Sequence, residues 1–410
     1  MGTRLRGDSA PPSKWRALKV VAAAAFAAAT LAPSLLGLTT EAAPGPEAAF
    51  AQDATAAAPD GFVARSGASL TLDGAPFRFV GFNLYDAAAS DLYSCAPAQR
   101  LDDAQLAAAM LQVRAAGGTV VRFWAFQSYT RAGTDYSGVD RVISAAREQG
   151  LKVLPVLENQ WGNCSRPGTA PLSAVQGGTW FSDGYRSPLA PERLSFREYA
   201  SRITAHYRDE PVVFAWSLMN EAETHQLDPA GRSVLVNFAS DMASVVHAAD
   251  PHHLLTLGTQ SNGAPGASGA DFSAVYGVPG LDLAEVHDWA NRGSDSAAMP
   301  GAPSPGQLPS PASCQATAAP LACSFALVKQ LGKPIIVAEA GIAAYDGPGR
   351  ALRARQLGAK VDAAFEAGAS GYLVWQLNRA NTDGYAVLLG AHDPLSRVLR
   401  AAALRWASSV

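Results

Sequence analysis

Val153-Leu154-Pro155-Val156-Leu157 is an uninterrupted apolar run near the middle of the chain. Similar runs occur at Val120-Val121, Ile335-Ile336-Val337 and Tyr372-Leu373-Val374. A strand that is apolar at every position is typical of a parallel sheet covered on both faces, because neither face meets water. These runs therefore predict parallel strands at the centre of the fold.

Strand patterns and helix patterns alternate outward from these runs along the rest of the chain. The predicted strands are Phe77–Leu84, Thr119–Phe126, Lys152–Glu158, Val212–Asn220, Leu254–Gln260, Leu283–Trp289, Pro334–Ala340 and Gly371–Leu377. The predicted helices are Leu101–Ala116, Val139–Gln149, Pro191–Tyr207, Arg232–Ala249, Cys323–Leu331, Arg350–Ala367 and Leu395–Ala407. The stretch Gly269–Val278 is poorly helical. Eight repeats of this kind, closing on glycine or proline turns, predict a (β/α)8 TIM barrel.

The segment that leads into the first strand has a different pattern. Gly61–Ala75 alternates in polarity and contains an Asp73-Gly74 turn, which predicts a small hairpin beneath the barrel. A doubly wound open sheet is the alternative fold. It would place a glycine-rich phosphate loop after the first strand, and Gly81-Phe82-Asn83 is not such a loop.

The amino terminus has the pattern of a secretory signal. Five basic residues before residue 20 precede an uncharged stretch, Val20–Thr40, that is rich in Ala and Leu. Ala49-Phe50-Ala51 offers a cleavage site. We therefore predict a signal peptide over 1–51, a disordered tail over 52–60 and one barrel domain over 61–410, secreted and with no stable membrane association after processing. An uncleaved membrane anchor is the alternative.

Cysteine usage agrees with export. The chain has four cysteines, Cys95, Cys164, Cys314 and Cys323, and no C-x-x-C pair. In an oxidising compartment this predicts two disulfides. Cys314 and Cys323 enclose a short loop and are expected to pair, which leaves Cys95 and Cys164 to join two long loops. A zinc site is the alternative, but the spacing does not fit one.

Polar side chains occupy the predicted carboxyl ends of the strands, where TIM-barrel active sites form. Arg122 lies near the end of the second strand, Asn220-Glu221 ends the fourth and Glu339 ends the seventh. Two carboxylates facing each other across the barrel mouth are what glycoside hydrolysis requires. We expect Arg122 to keep Glu339 ionised by lowering its pKa, and apolar cover to keep Glu221 protonated.

Other glutamates near strand ends are weaker candidates. Glu158, Glu223 and Glu285 lie outside the Asn-Glu pattern. For Glu158 a structural pair with Arg122 and a contact with substrate are equally plausible. A metal-dependent barrel hydrolase would need histidines on the first strand, which has none, so no metal and no cofactor are expected. With a formal net charge of −3, no nucleic-acid partner is expected.

Two motifs carry a resemblance to a known family. Trp216-Ser217-Leu218-Met219-Asn220-Glu221 resembles the W-x-L-x-N-E signature of glycoside hydrolase family 5, and Pro334–Gly341 resembles its nucleophile strand, which ends in Glu-x-Gly. Val121–Phe126 is similar to the R-x-W-x-F strand of the β-mannanase branch, and Asn159-Gln160-Trp161 to its N-x-W motif. One departure is His287-Asp288-Trp289, where the family has H-x-Y with the tyrosine hydroxyl on the nucleophile.

The resemblance implies a set of roles. Glu221 would be the acid/base and Glu339 the nucleophile, with retention of configuration, while Arg122 and Asn220 orient them and Trp375 forms a sugar platform. At the departure, the Trp289 indole could donate to Glu339. The full set of predicted substrate-binding residues is Arg122, Trp124, Asn159, Trp161, Asn220, His287, Trp289 and Trp375.

The resemblance also ranks the possible functions. A monomeric endo-β-1,4-mannanase acting on a polysaccharide or oligosaccharide is favoured. An endo-β-1,4-glucanase, an exo-acting β-glycosidase and a catalytically silent carbohydrate-binding barrel are the alternatives.

Overall fold

A computed structural model gives the fold of residues 59–90, 94–95, 100–131, 133–162, 177–188, 194–260, 263–289 and 297–407. The predicted signal segment 1–51, most of the predicted tail and Cys164 lie outside the described residues. The predictions for these parts therefore stay predictions.

The described chain begins with a small antiparallel sheet. Its strands are β1 (Val63–Ser66), β2 (Ser69–Leu72) and β3 (Ala75–Pro76). The Lys152 ammonium donates to the carbonyl oxygen of Gly61 at 2.6 Å, and the Phe62 ring packs against His253 with 5.0 Å between ring centroids. These contacts attach the sheet to the amino-terminal end of the barrel. The predicted hairpin beneath the barrel is confirmed, with a third strand added to it.

Eight parallel strands form the central sheet. They are β4 (Phe79–Asn83), β5 (Val120–Trp124), β6 (Lys152–Val156), β7 (Ala215–Ser217), β8 (Leu254–Thr256), β9 (Ala284–Asp288), β10 (Ile335–Ala340) and β11 (Gly371–Val374), in the order β8-β7-β6-β5-β4-β11-β10-β9. Between β8 and β9, at the two ends of this order, the Asp282 amide donates a hydrogen bond to the Leu255 carbonyl oxygen at 2.8 Å. The predicted (β/α)8 barrel is confirmed and the open sheet is excluded. Two short strands, β12 (Leu377–Asn378) and β13 (Val387–Leu388), pair beyond β11.

Helices surround the sheet. They are α1 (Asp103–Ala115), α2 (Ser137–Glu148), α3 (Gly178–Ser182), α4 (Phe196–Tyr207), α5 (Val234–Ala249), α6 (Ala270–Tyr276), α7 (Leu321–Leu331), α8 (Gly347–Glu366) and α9 (Pro394–Ala407). Helix α1 begins at a capping box between Asp102 and Gln105. The prediction that Gly269–Val278 is poorly helical was wrong, because α6 occupies seven residues of it. The predicted helix from Pro191 begins only at Phe196, where Ser195 caps it.

The observed strands are shorter than predicted, most of all on the fourth barrel strand. The ladder there covers Ala215–Ser217, although Val212–Asn220 has strand composition throughout. The amides of Leu218 and Asn220 still donate to the neighbouring strands on either side, to the carbonyl oxygens of Thr256 and Glu158. The backbone stays extended and paired while leaving the regular register. This irregular end of the strand carries the candidate site.

The barrel interior is layered. Near the amino-terminal ends of the strands, buried side chains such as Phe79, Val120, Leu154 and Ile336 form an apolar plug. Because successive side chains of a strand alternate between faces, Arg122 points the same way as Val120, one layer higher. The polar layer thus rests on an apolar floor that excludes water from below.

The disulfides predicted from the sequence can be compared with the described part of the chain. A disulfide joins Cys314 to Cys323, as predicted. Cys95 is also disulfide-bonded, and its predicted partner Cys164 lies outside the described residues. Within the described part of the chain, every helix is too short or too polar to cross a membrane.

A buried lysine closes the end of α6. Lys333 is 7% exposed. Its ammonium donates to the carbonyl oxygens of Tyr276, Val278 and Leu281 at 2.5, 2.8 and 2.6 Å. Burial, together with the charge of Arg65, lowers the pKa of Lys333 to about 8. The last carbonyls of a helix have no partner within the helix, and the ammonium supplies a donor to that of Tyr276 and to two carbonyls of the turn after α6.

We expect Lys333→Met to lower the free energy of unfolding by about 3 kcal/mol, because three hydrogen bonds are lost, and the Val278 carbonyl oxygen alone keeps another donor, the Leu281 amide. Urea denaturation followed by circular dichroism measures the change. Lys329→Met, at an exposed position of α7, is the control and should change stability by less than about 0.5 kcal/mol. Equal losses in the two variants would contradict the assigned role of Lys333.

Candidate active site

A buried arginine organises the mouth of the barrel. The side chain of Arg122 on β5 is fully buried. Its Nε donates to Glu285 Oε1 at 3.1 Å, its Nη1 to Glu339 Oε1 at 2.5 Å and its Nη2 to Asn220 Oδ1 at 3.0 Å. Nη1 also donates to Asn83 Oδ1 at 3.1 Å. One planar guanidinium therefore fixes four side chains from four different strands or strand ends.

Glu339 reaches the interior through an irregularity in β10. The pairing of β10 with β9 shifts register between Val337 and Glu339. Val337 packs into the core between sheet and helices, and simple alternation would turn Glu339 the same way. An extra residue in a strand re-aims the side chains that follow it. The register shift thus brings the Glu339 carboxylate to Arg122 inside the barrel.

Glu221 stands on a strained piece of backbone. Its φ is +59°, in the left-handed region that costs free energy for a residue with a side chain. The amide of the next residue, Ala222, donates to the Gly258 carbonyl at 2.9 Å. At Gly258 a Cβ atom would lie 1.9 Å from the Met219 carbonyl oxygen, so only glycine permits this approach. The close contact between the two chain segments holds Glu221 in place.

Three donors converge on the Glu221 carboxylate. Trp161 Nε1 donates to Oε2 at 2.5 Å, and Gln260 Nε2 donates to Oε1 at 3.0 Å. His287 Nδ1 lies 2.9 Å from Oε1 and 3.4 Å from Glu339 Oε2. His287 is fully buried and stands between the two carboxylates. One ligand atom from each of Glu221, His287 and Glu339 falls within 4.8 Å of the other two.

The directions of the pKa shifts differ from those expected from the sequence. Burial by itself would raise the pKa of Glu221, but His287, Trp161 and Gln260 hold it below its ordinary value. Burial raises the pKa of Glu339, with the charge of Glu221 adding to it, in spite of His287 and Arg122. Arg122 does lower the pKa of Glu339, as expected, but burial outweighs it, and the expectation that apolar cover raises the pKa of Glu221 is wrong for the site without substrate. The sequence did not show that His287 bonds to Glu221.

His287 is the group that carries the extra proton. Burial acts to lower its pKa, but the charges of Glu339, Glu221 and Glu285 outweigh that effect and raise it to about 9. At neutral pH the imidazole is therefore positively charged. A charged imidazole has no free lone pair for a metal ion. The three side chains have ligand spacing, and a cation would have to displace the proton from His287 to use its Nδ1.

Aromatic rings line the cleft beside Glu339. Trp289 Nε1 donates to Glu339 Oε2 at 3.1 Å, in the place where the resembling family has a tyrosine hydroxyl. The Tyr385 ring meets Trp289 edge-on, with 5.0 Å between centroids. Trp375 stacks on Tyr85 at 5.0 Å and is partly exposed. Across the mouth, Trp161 is 46% exposed.

The other predicted site residues lie in supporting positions. Asn159 Oδ1 accepts from Asn220 Nδ2 at 3.0 Å, which orients the Asn220 amide. Trp124 is 4% exposed and packs between Phe126 and the Arg122 guanidinium, behind Trp375. All ten predicted site residues thus belong to one connected cluster. Trp216, the first residue of the quoted motif, is fully buried in the core.

Sequence analysis underestimated the roles of Glu285 and Gln260, and one pairing that it suggested is wrong. Glu285 is fully buried, and its carboxylate bonds Arg122 and accepts from Ser217 Oγ at 2.6 Å. Gln260 is the last residue of the fifth predicted strand. Because TIM-barrel active sites form at the carboxyl ends of the strands, its position could have identified it. The suggested pair between Glu158 and Arg122 does not form, because Arg122 pairs with Glu285 and Glu339. Glu158 Oε1 instead accepts from the Asn159 amide at 2.8 Å.

Part of the chain is similar to known proteins. A family model described as "GH family 5 beta-mannosidase-like" matches residues 197–369. A probable mannan endo-1,4-beta-mannosidase C of Aspergillus terreus is 27% identical over 57% of this chain and 66% of its own. A mannan endo-1,4-beta-mannosidase 1 of Oryza sativa is 30% identical over 59% of this chain and 62% of its own. The matched stretches span less than two thirds of the length of these relatives.

Solved structures show the same fold. An endo-beta-1,4-mannanase from Thermotoga petrophila superimposes with a TM-score of 0.59 over 81% of this chain and 77% of its own, at 20% identity. At this level of identity the likeness concerns the barrel itself. It places the described strands in an architecture common to mannanase structures.

The buried charges predict a stability that depends on pH. His287 has a pKa of about 9 in the fold and an ordinary value of 6.5. Its charged form therefore stabilises the fold fully below pH 6.5, and this contribution disappears as the pH rises through 9. Its full size is about 3 kcal/mol. We expect His287→Gln to lower the free energy of unfolding most at pH 6 and progressively less toward pH 9.5.

Urea denaturation at pH 6, 7.5 and 9.5 measures this difference. His252→Gln, in the loop at the opposite end of the barrel, serves as the control and should show a small effect with no trend of this kind. A difference between wild type and His287→Gln that stays constant over this range would contradict the ion-pair assignment.

Proposed function

Because the chain belongs to glycoside hydrolase family 5, in its mannanase branch, we propose that it is a retaining glycoside hydrolase that cleaves β-1,4-mannan within the chain. The observation that carries this proposal is the approach of Glu221 and Glu339. One oxygen of each lies within a cluster 4.8 Å across. Retaining enzymes hold their two carboxyl groups about 5 Å apart, whereas inverting enzymes leave room for a water molecule between them.

In the first step Glu339 is the nucleophile. Its carboxylate forms a bond to the anomeric carbon while the bond to the leaving oxygen breaks, and Glu221 donates a proton to that oxygen. Arg122 and Trp289 each bind one oxygen of Glu339 and so fix the direction of attack. Because the pKa of Glu339 is raised by burial, these two donors are needed to keep the carboxylate ionised at the moment of reaction.

The proton for this step is held on His287 in the substrate-free site. His287 Nδ1 is 2.9 Å from Glu221 Oε1, so transfer between them needs no intervening group. Entry of a sugar displaces water around Glu221 and makes its charged form less favourable. The proton then moves from His287 to Glu221, which becomes the general acid. This arrangement reconciles the lowered pKa of Glu221 with an acid role.

In the second step the roles reverse. Glu221, now ionised, takes a proton from water, the water oxygen attacks the anomeric carbon, and the bond to Glu339 breaks. Asn220, oriented by Asn159 and Arg122, is placed to bind the 2-hydroxyl of the reacting sugar. Trp375 supplies a flat surface under that sugar. The chain's own residues thus account for both steps without a cofactor.

The substrate assignment rests on the named relatives. Both curated relatives described above carry mannan endo-1,4-beta-mannosidase in their names. Single-sugar release is the second candidate, since the matching family model is described as beta-mannosidase-like. The products separate the two, because an endo-acting enzyme releases a series of oligosaccharides.

We further propose that the mature protein is a secreted monomer. The basic and apolar pattern of residues 1–51 supports export. The disulfide between Cys314 and Cys323 is consistent with an oxidising compartment.

The test is reducing-sugar release from galactomannan, glucomannan and carboxymethyl-cellulose. We expect wild type to act on the two mannans, and Glu221→Gln and Glu339→Gln each to lower kcat/KM by about 10³-fold or more. Glu223→Gln is the matched control, since this half-buried carboxyl lies two residues from Glu221 outside the cluster; it should stay within about threefold of wild type. Activity that survives Glu339→Gln would contradict the mechanism, and no release from any substrate would favour a silent binding barrel.

A further inference from the structure

We propose that Tyr345 is a platform for a sugar unit at the outer end of the cleft, on the side away from Glu221. This inference rests on the proposed function and extends it, because it assigns a second carbohydrate-binding position to the same cleft. Tyr345 lies in the loop that follows β10, six residues after Glu339. Its ligand would be one unit of a neutral β-1,4-linked chain.

The ring is largely exposed and packs against a neighbouring glycine. Tyr345 is 73% exposed, the most of the large apolar side chains among the described residues. Its ring lies directly over the backbone of Gly384, where a Cβ atom would come within 2.6 Å of it. Gly384 also has a φ of +89°, which disfavours any side chain at this position. The backbone at Gly384 thus accommodates the hydroxyl end of the ring, and most of the side chain stays exposed.

Hydrogen bonds hold this arrangement rigid. The Tyr345 hydroxyl donates to the Asp383 carbonyl at 3.3 Å. The Ala344 amide donates to the Gly384 carbonyl at 2.7 Å, and Asn381 Nδ2 donates to the Ala344 carbonyl at 3.0 Å. The loops that carry Tyr345 and Gly384 are therefore cross-linked. A surface that is ordered before binding loses little conformational entropy when a ligand arrives.

The loop of Gly384, against which Tyr345 packs, connects this position to the catalytic cluster. Tyr385, beside Gly384, packs edge-on against Trp289 at 5.0 Å. Trp289 in turn bonds Glu339 and lies 6.2 Å from Trp375. An aromatic path thus leads from Trp375 through Trp289 and Tyr385 to the loop of Tyr345. A chain seated on Trp375 that follows this path reaches Tyr345 with a unit beyond the one that reacts.

The position of Tyr345 at the outer end of this aromatic path decides which part of the substrate it binds. The leaving group departs on the side of Glu221, which is bonded to Trp161 across the mouth. Tyr345 belongs to the Glu339 side and therefore contacts the part of the chain that stays on the enzyme as the glycosyl intermediate. Apolar C–H faces of sugars pack on aromatic rings, and a tyrosine exposed at the end of a cleft suits this contact.

The experiment compares a long and a short substrate. Wild type and Tyr345→Ala are assayed on mannohexaose and on 2,4-dinitrophenyl β-mannoside, whose single sugar reaches only the site beside Trp375. We expect Tyr345→Ala to lower kcat/KM about tenfold on mannohexaose and to leave the aryl mannoside within about twofold. Tyr345→Phe keeps the ring face and should stay close to wild type on both.

A binding measurement provides the second readout. Calorimetric titration of mannohexaose into Glu339→Gln, with and without Tyr345→Ala, should show about tenfold weaker binding without the ring. Leu352→Ala, at an exposed apolar position on α8, is the control for surface truncation. Equal activity and equal affinity in the presence and absence of the ring would overturn the inference. Inactivity of wild type on every mannan would instead overturn the proposed function.

Discussion

The ion pair between Arg122 and two carboxylates, Glu285 and Glu339, is the interaction on which the rest of the site depends. A buried guanidinium is stable only when its donors are satisfied, and here the acceptors come from β4, β9, β10 and the loop after β7. Removing the arginine would leave a cluster of buried carboxylates without their fixed cation. The apolar plug below it denies them water. The barrel strands, the register shift in β10 and the strained backbone at Glu221 all serve to bring side chains to this one group.

The charge balance of the cluster explains its protonation. Glu221, Glu285 and Glu339 oppose a single arginine, and His287, which faces all three, takes up a proton to reduce the excess. His287 thus has two roles. Its positive charge offsets the three carboxylates in the substrate-free site, and its proton is available to Glu221. Such coupling means that no carboxyl in this cluster titrates alone.

Much of this was predictable, and the reasons are specific. Continuous apolar runs identified the barrel, and charged residues at the ends of those runs identified Arg122, Glu221 and Glu339, because a buried charge needs a partner or a function. The role of Glu285 was not visible, since its partner Arg122 lies 163 residues away and meets it only when the barrel closes. The order of the pKa values was predicted wrongly because it depends on the position of the His287 ring. Strand lengths were overestimated because the irregular strand ends have the same composition as the ladder.

We propose that Glu339 forms a covalent bond to the sugar. The most direct test is to incubate the protein with 2-deoxy-2-fluoro-β-mannosyl fluoride, digest it and locate the added sugar by mass spectrometry. We expect a single label on Glu339 and none in the Glu339→Gln variant. A label on Glu221 or Glu285, or hydrolysis of mannan with inversion at the anomeric carbon, would contradict it.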